Sequence, residues 1–224
     1  QFANPAGAAF AAEMPQGIGE RNEVEKTLAS LGNAPFHVAS LEKKAASRRP
    51  AAPFTTSTLQ QEASRKLYFS VGKTMTIAQR LYEAGLITYM RTDSVNLSND
   101  AKKAAEDEIT NSYGVKYSSP RNFKSKAKGA QEAHEAIRPT SVENSPKNVK
   151  KYLTKDEYSL YTLIYARTLA SVMKPAIIST NTVELTNNDA LFRASAQALV
   201  FDGYLRIYDK YEKLDLSELP TLEE

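Results

Sequence analysis

Residues 78–98, AQRLYEAGLITYMRTDSVNLS, are the stretch around which the chain is organised. A helical run ends at Gly85, a residue suited to closing a helix. A short β-type run follows, Leu86-Ile87-Thr88-Tyr89-Met90. As a strand it would place Ile87 and Tyr89 on one face and Leu86, Thr88 and Met90 on the other. Arg91-Thr92-Asp93-Ser94 then sets four polar side chains directly against the apolar segment. A tyrosine, an arginine two residues later, and hydroxyl and carboxylate groups close behind have the composition of a phosphate site at a strand end.

The rest of the chain limits what such a site could be. Its 224 residues suffice for one large domain or two small ones. Hydrophobic residues at 42% and charged residues at 25% place it among ordinary globular proteins. The absence of cysteine excludes disulfides, thiol chemistry and zinc-thiolate sites within these residues, and fits a reducing compartment. No apolar run approaches the roughly 20 residues that span a bilayer, and no secretion signal opens the chain. A net charge of +3 does not by itself argue for nucleic acid. Its distribution is more informative. Between Gly114 and Gln131 there is no acidic residue, while Lys116, Arg121, Lys124, Lys126 and Lys128 are all present. Such local patches attract polyanions, although a run of this kind also serves as a solvated loop.

Residues 1–19 read as an irregular lead-in without a start of their own, as if the chain began inside a larger protein. A helix is expected from Asn22, with Val24, Thr27, Leu28 and Leu31 on one face and Gly32 as cap. Pro35–Arg48 alternates and reads as a strand, and Arg48–Pro53 as a Pro-rich connector. Ser57-Thr58-Leu59-Gln60 fits a capping box for a helix to Tyr68. Phe69–Lys73 is expected to turn into a second helix that starts at Lys73 or Thr74. Two short helices followed by a β-type run follow the order of a winged helix-turn-helix. Ser98 fits the N-cap of a third helix, Asn99 to Asn111. Thr154 and Glu157 form another capping box, opening the longest helix, in which Leu160, Leu163, Ile164, Arg167, Leu169 and Val172 mix core and surface to Met173. After Pro175 the period changes to two. Ile178–Leu185, Leu191–Val200 and Tyr204–Tyr211 are expected as antiparallel strands, with turns at Asn187-Asn188-Asp189 and Asp202-Gly203. The pattern predicts an α+β fold. A mainly helical domain with a winged-helix-like core, residues 49–175, is inserted into a discontinuous antiparallel β domain of residues 1–48 and 176–224. Two connections would join them, at 49–53 and 174–177.

Tyr89 leads the candidates for chemistry. A phenol with a pKa of about 10 is a poor nucleophile near neutrality without a neighbouring cation or base. Arg91 could supply the cation, and its planar fork suits phosphate. The plainer reading packs Tyr89 between wing and helix and pairs Arg91 with Asp93. His134 and Arg138 are four apart, so on a helix they would share a face and could hold phosphates; a plainer reading puts them in a helix-end ion-pair cluster. A zinc motif is rejected there because arginine stands where a second histidine would be needed. Gly72-Lys73-Thr74 has the end of a phosphate loop but lacks its upstream glycine, since Leu67 occupies that place, and reads as a helix start.

Three segments carry a family resemblance: PFTTSTLQQ at 53–61, AQRLYEAGLITYMRTDS at 78–94 and EAHEAIRP at 132–139. In this order they resemble bacterial DNA topoisomerase I, a type IA topoisomerase. Residues 1–48 and 176–224 fit only the layout of that family. The resemblance implies that Tyr89 attacks a phosphodiester of single-stranded DNA, giving a 5′-phosphotyrosyl bond and a free 3′-hydroxyl. Reversal reseals the strand after another has passed, so that negatively supercoiled DNA is relaxed. Arg91 would position and neutralise the scissile phosphate, and His134 and Arg138 would contact DNA near the break. The helical block would be the gate that lifts away with the bound 5′ end, and the split β domain the arch that carries it, hinged at the two connections. The family's magnesium carboxylates lie in a metal-binding domain not among these residues, as do the remaining DNA-binding base domain and the zinc ribbons. Magnesium is therefore expected to bind outside this chain, with no metal site here, and the fragment alone is expected not to cleave DNA. A monomer in the bacterial cytoplasm, associated with the nucleoid, completes the implied picture. A tyrosine recombinase is disfavoured by order, because His134 and Arg138 follow the tyrosine. Two further rivals are a non-catalytic winged-helix DNA-binding module and a structural interaction domain. The DNA-binding module would bury the Tyr89 hydroxyl and expose a basic second helix.

Overall fold

A computed structural model describes residues 1–31, 35–123, 134–220 and 222. In chain order the elements are β1 (Phe2–Ala3), β2 (Ala9–Phe10), α1 (Arg21–Ser30), β3 (His37–Arg48), α2 (Thr56–Leu67), α3 (Val71–Glu83), α4 (Asn99–Tyr113), α5 (Pro146–Val149), α6 (Lys155–Ser171), β4 (Ala176–Asn187), β5 (Ala190–Phe201) and α7 (Leu205–Tyr208). They divide into two compact units. A β unit holds Gln1–Arg48, Ile177–Phe201 and Leu214–Glu224; a helical unit holds Arg49–Ala176 and Asp202–Lys213. The chain therefore crosses between units four times, at 48/49, 176/177, 201/202 and 213/214, where two crossings were expected.

The extra crossings come from residues 202–213. The alternation over Tyr204–Tyr211 predicts a third strand, but the segment is helical and belongs to the helical unit. Its tyrosines at 204, 208 and 211 are spaced three to four apart and all are buried, which is a helical stripe. Gly203 makes the turn into it at φ 50°, and a Cβ there would collide with the Pro175 carbonyl.

In the helical unit α6 is the hub: α2, α3, α4, α5 and α7 all pack on it. Leu160 and Tyr161, then Leu163 through Ser171, are buried, so this helix is enclosed on all sides rather than half wetted as expected. The Thr154–Glu157 capping box forms as the sequence indicates. Arg167 within α6 lies between the rings of Phe54 and Tyr208, 4.4 and 5.1 Å from their centroids, with Glu62 3.6 Å away. At α2 the capping box forms on Thr55 and Thr58, two residues earlier than expected. Four hydroxyl residues in a row, Thr55 to Thr58, leave the register open in the sequence; Thr55 is the one with extended backbone. Helix α3 likewise starts early, at Val71, because Ser70 caps it. The Ser98 cap of α4 forms as expected.

The β unit has a three-stranded sheet in the order β3–β4–β5. Strands β4 and β5 are antiparallel, from Ile177 opposite Phe201 to Asn187 opposite Ala190. The loop between them is Asn188-Asp189, with Asn188 at φ 49°, as the turn signal predicts. Val183, Leu185 and Ala194 are the buried centre, covered by the partly buried Phe2, Phe10, Phe36, Val38 and Phe192. Helix α1 forms, but its expected apolar face is open, with Val24 and Leu28 exposed. Its expected Gly32 cap lies outside the described residues. No helix among the described residues is long and apolar enough to cross a membrane.

Candidate active site

The expected strand at Leu86–Met90, and with it the wing, does not form. Only Ile87 makes a β-bridge, to Pro139. The alternation fails accordingly: Ile87 and Met90 are both buried and Tyr89 is exposed. The segment is an irregular loop whose shape is fixed by three devices. Gly85, at φ 70°, closes α3, with its amide on the Tyr82 carbonyl at 2.8 Å and that of Leu86 on Leu81 at 2.9 Å. The Thr88 hydroxyl donates to the Ala136 carbonyl at 2.7 Å and accepts the Arg138 amide at 3.0 Å. The Thr56 hydroxyl, at the first residue of α2, donates to the Met90 carbonyl at 2.7 Å and accepts the Thr92 amide at 2.9 Å.

These contacts draw together all three segments that carry the family resemblance. Phe54 is bridged to Ile137, Ile87 to Pro139, and Thr56 to residues 90–92. Neither Thr56 nor Thr88 is marked out by sequence reasoning. A hydroxyl in a cap region and one in an apparent strand both have commoner uses.

Tyr89 lies between the two anchors. Its side chain is 47% exposed, and its ring meets that of Tyr82 on α3 edge-on at 5.2 Å. Neither the fully packed tyrosine of the plainer reading nor the buried hydroxyl of a DNA-binding module matches this exposure. Arg91 is also exposed and makes no ion pair with Asp93 or any other described residue. It lines a pocket of about 470 Å³ with Met90 and with Met75, Thr76, Gln79, Arg80 and Glu83 of α3. Tyr89 is not in that lining.

His134 and Arg138 are not on a helix. Residues 134–140 run extended, which places the two side chains differently from the shared face a helix would give. His134 is exposed. Arg138 is mostly covered and locally engaged: one terminal nitrogen bonds Glu135 at 2.6 Å, the other the Pro139 carbonyl at 2.9 Å. This is the ion-pair cluster of the plainer reading, formed without the helix. Glu135 also accepts the Ser98 amide at 2.6 Å, tying α4 to this segment. Burial raises the pKa of its carboxyl, but the hydrogen bonds from Arg138 and Ser98 outweigh burial and leave it below the usual carboxylate range.

Other candidates resolve simply. The Gly72-Lys73-Thr74 triplet is in the first turn of α3, with Thr74 buried and Lys73 paired to Asp156 at 2.7 Å. In the basic loop, Arg121 bonds the carbonyls of Ser119 and Met173, and Tyr117 is buried with its hydroxyl on Asp202. Lys124, Lys126 and Lys128 lie outside the described residues.

The site is thus an exposed tyrosine on a braced loop, two residues before an arginine that pairs with no described acidic residue. The DNA topoisomerase family matches residues 5–224. The chain belongs to the bacterial DNA topoisomerase family. It is also similar to the full-length topoisomerase I from Thermotoga maritima in its monoclinic crystal form. That similarity has 35% sequence identity and a TM-score of 0.79, and covers 95% of this chain and 35% of that one. The chain thus spans little more than a third of the length of that topoisomerase. The mixed helix and antiparallel-sheet architecture is the topoisomerase I fold over this region.

Magnesium is the metal the family implies. The residues here do not fit it: among those described, no three His, Asp or Glu side chains are grouped to hold a metal ion. Glu83 is bonded to Gln79 and Glu135 to Arg138.

Proposed function

We propose that this chain carries the nucleophile of a type IA topoisomerase that relaxes negatively supercoiled DNA by transient cleavage of one strand. The Tyr89 oxygen attacks phosphorus and the bond to the 3′-oxygen breaks. The phenol proton leaves, the 3′-oxygen gains one, and the 5′ end stays on the protein. The reverse reaction restores the strand after passage of another. Arg91 holds the scissile phosphate through charge and a fork of donors. His134 contacts DNA beside the break. Arg138 contributes mainly by bracing the 134–140 segment, with its phosphate contact secondary. The helical unit acts as the gate and the β unit as the arch. Magnesium and the groups that take and return the protons belong to the rest of the full-length protein, a monomer of the bacterial cytoplasm acting at the nucleoid on single-stranded DNA.

The observation that carries this reading is the exposure of Tyr89 on a loop pinned at Thr88 and at Met90–Thr92. Tyr89→Phe in the full-length protein tests it, because only the hydroxyl is removed. Relaxation and the denaturation-resistant protein–DNA adduct should both vanish while DNA binding is kept; an adduct formed by the phenylalanine variant overturns the assignment. Residues 1–224 alone, given single-stranded DNA and magnesium, should form no adduct.

A further inference from the structure

Thr56 holds the peptide groups on both sides of Arg91. Its hydroxyl donates to the Met90 carbonyl at 2.7 Å and accepts the Thr92 amide at 2.9 Å. Its own amide donates to the Thr92 carbonyl at 2.9 Å. As the first residue of a helix it has an amide that no helical carbonyl can satisfy, and the loop supplies the acceptor. The hydroxyl thus works as both donor and acceptor, a pair of roles that only serine or threonine fills at this size.

The geometry points to Thr56 as a positioning residue for strand cleavage, a role that rests on Tyr89 being the nucleophile. Arg91 pairs with no acidic side chain among the described residues, so no ion pair fixes its guanidinium, and the backbone sets the point from which it reaches. That backbone is clamped on each side by the same hydroxyl. The Met90 carbonyl also belongs to the residue next to Tyr89, and Thr88 fixes the other neighbour. Nucleophile and phosphate holder are therefore registered against one point at the start of α2. With the Thr56 hydroxyl lost, residues 90–92 would keep one amide bond to α2 and gain freedom to drift. In-line attack on phosphorus is sensitive to such drift: misplacement by about 1 Å costs on the order of 100-fold in rate.

The test uses full-length protein with a labelled single-stranded oligonucleotide and magnesium, and measures separately the rate of adduct formation, the rate of religation and the oligonucleotide Kd. Thr56→Val should slow both rates by about 10- to 100-fold, with Kd within about twofold. Thr56→Ser, which keeps both hydrogen-bonding roles, should stay within about threefold of the parent rates. Combined with Arg91→Lys, the valine change should cost less than it does alone, because the part of its effect that passes through Arg91 is already lost while the part that passes through Tyr89 remains. A valine variant at parental rates, a serine variant as slow as valine, or a loss confined to Kd overturns the role. Should the valine variant fail to fold, Thr56→Ala, which removes the hydroxyl without a branched replacement, takes its place with the same expectations. Tyr89→Phe is run alongside. An adduct from it would overturn the nucleophile reading, whereas an inactive Tyr89→Phe with a fully active Thr56→Val overturns the positioning role alone.

Discussion

The helical and β units differ most plainly in their aromatic residues. All twelve tyrosines of the chain are in the helical unit and none is in the β unit. The β unit relies on phenylalanine: Phe2 lies 4.8 Å from Phe36 and 5.2 Å from Phe192 between ring centroids. The tyrosines of α6 fasten helix to loop. Tyr161 bonds the Asn144 carbonyl at 2.6 Å and Tyr165 that of Val142 at 2.9 Å. A tyrosine buries as much ring as phenylalanine and also satisfies a buried backbone carbonyl, so it can pack irregular chain where phenylalanine would leave that carbonyl unpaired. The β unit satisfies its backbone through strand ladders and needs only apolar cover. That cover is thin: no described residue from Gln1 to Arg49 is buried.

Alkaline pH should separate the units most strongly. Burial raises the hydroxyl pKa of Tyr161, Tyr165 and Tyr208, and pushes Tyr211 up to about 12. In the unfolded chain these groups ionise near pH 10. Their contribution is therefore whole below pH 10 and is lost as pH rises from there toward the folded values. The loss is about 1.4 kcal/mol per pH unit for each buried tyrosine. Near-ultraviolet circular dichroism, which in a chain without tryptophan is dominated by tyrosine, should collapse between pH 10 and 12. Amide exchange in β4 and β5 should respond less; equal loss in both would break the comparison.

Single substitutions should follow in order. Ile164→Ala empties a fully buried position of α6 and should cost about 2–5 kcal/mol, read from thermal melting of the tyrosine signal. Phe192→Ala removes a partly buried ring of the β unit and should cost about 1–3 kcal/mol. Its effect should be seen as faster amide exchange in β4 and β5 while the tyrosine signal keeps its melting temperature. A tyrosine signal that melted early in the Phe192 variant would mean that the two units unfold together.

What could be read from the sequence depended on how local the cause was. The Ser98 and Thr154 caps, the Gly85 stop and the Asn188 turn were legible, because each is fixed by a few neighbouring residues. The strand expected at Leu86–Met90 was not, because the segment has only the single bridge from Ile87 to Pro139 and is otherwise held by the distant Thr56 and Ala136–Arg138 rather than by a strand partner. Tyr204–Tyr211, where α7 covers Leu205–Tyr208, is a short segment of alternating bulk that fits both periods, and only its packing on α6 selects the helical one. The helical reading of His134–Arg138 failed for the reverse reason: Ile137 and Pro139 are taken up as bridge partners by Phe54 and Ile87.

Three ordered segments of sequence were enough to mark the family, and they singled out Tyr89 and Arg91 as the candidates on which the proposed chemistry rests. They could do so because chemistry fixes residue type at a position whatever surrounds it. Only the folded chain shows that Tyr89 is exposed and that Thr56 and Thr88 brace the loop from either side. Those bonds join residues 34 to 50 positions apart, and a hydroxyl carries no mark in sequence of the distant carbonyl it will meet.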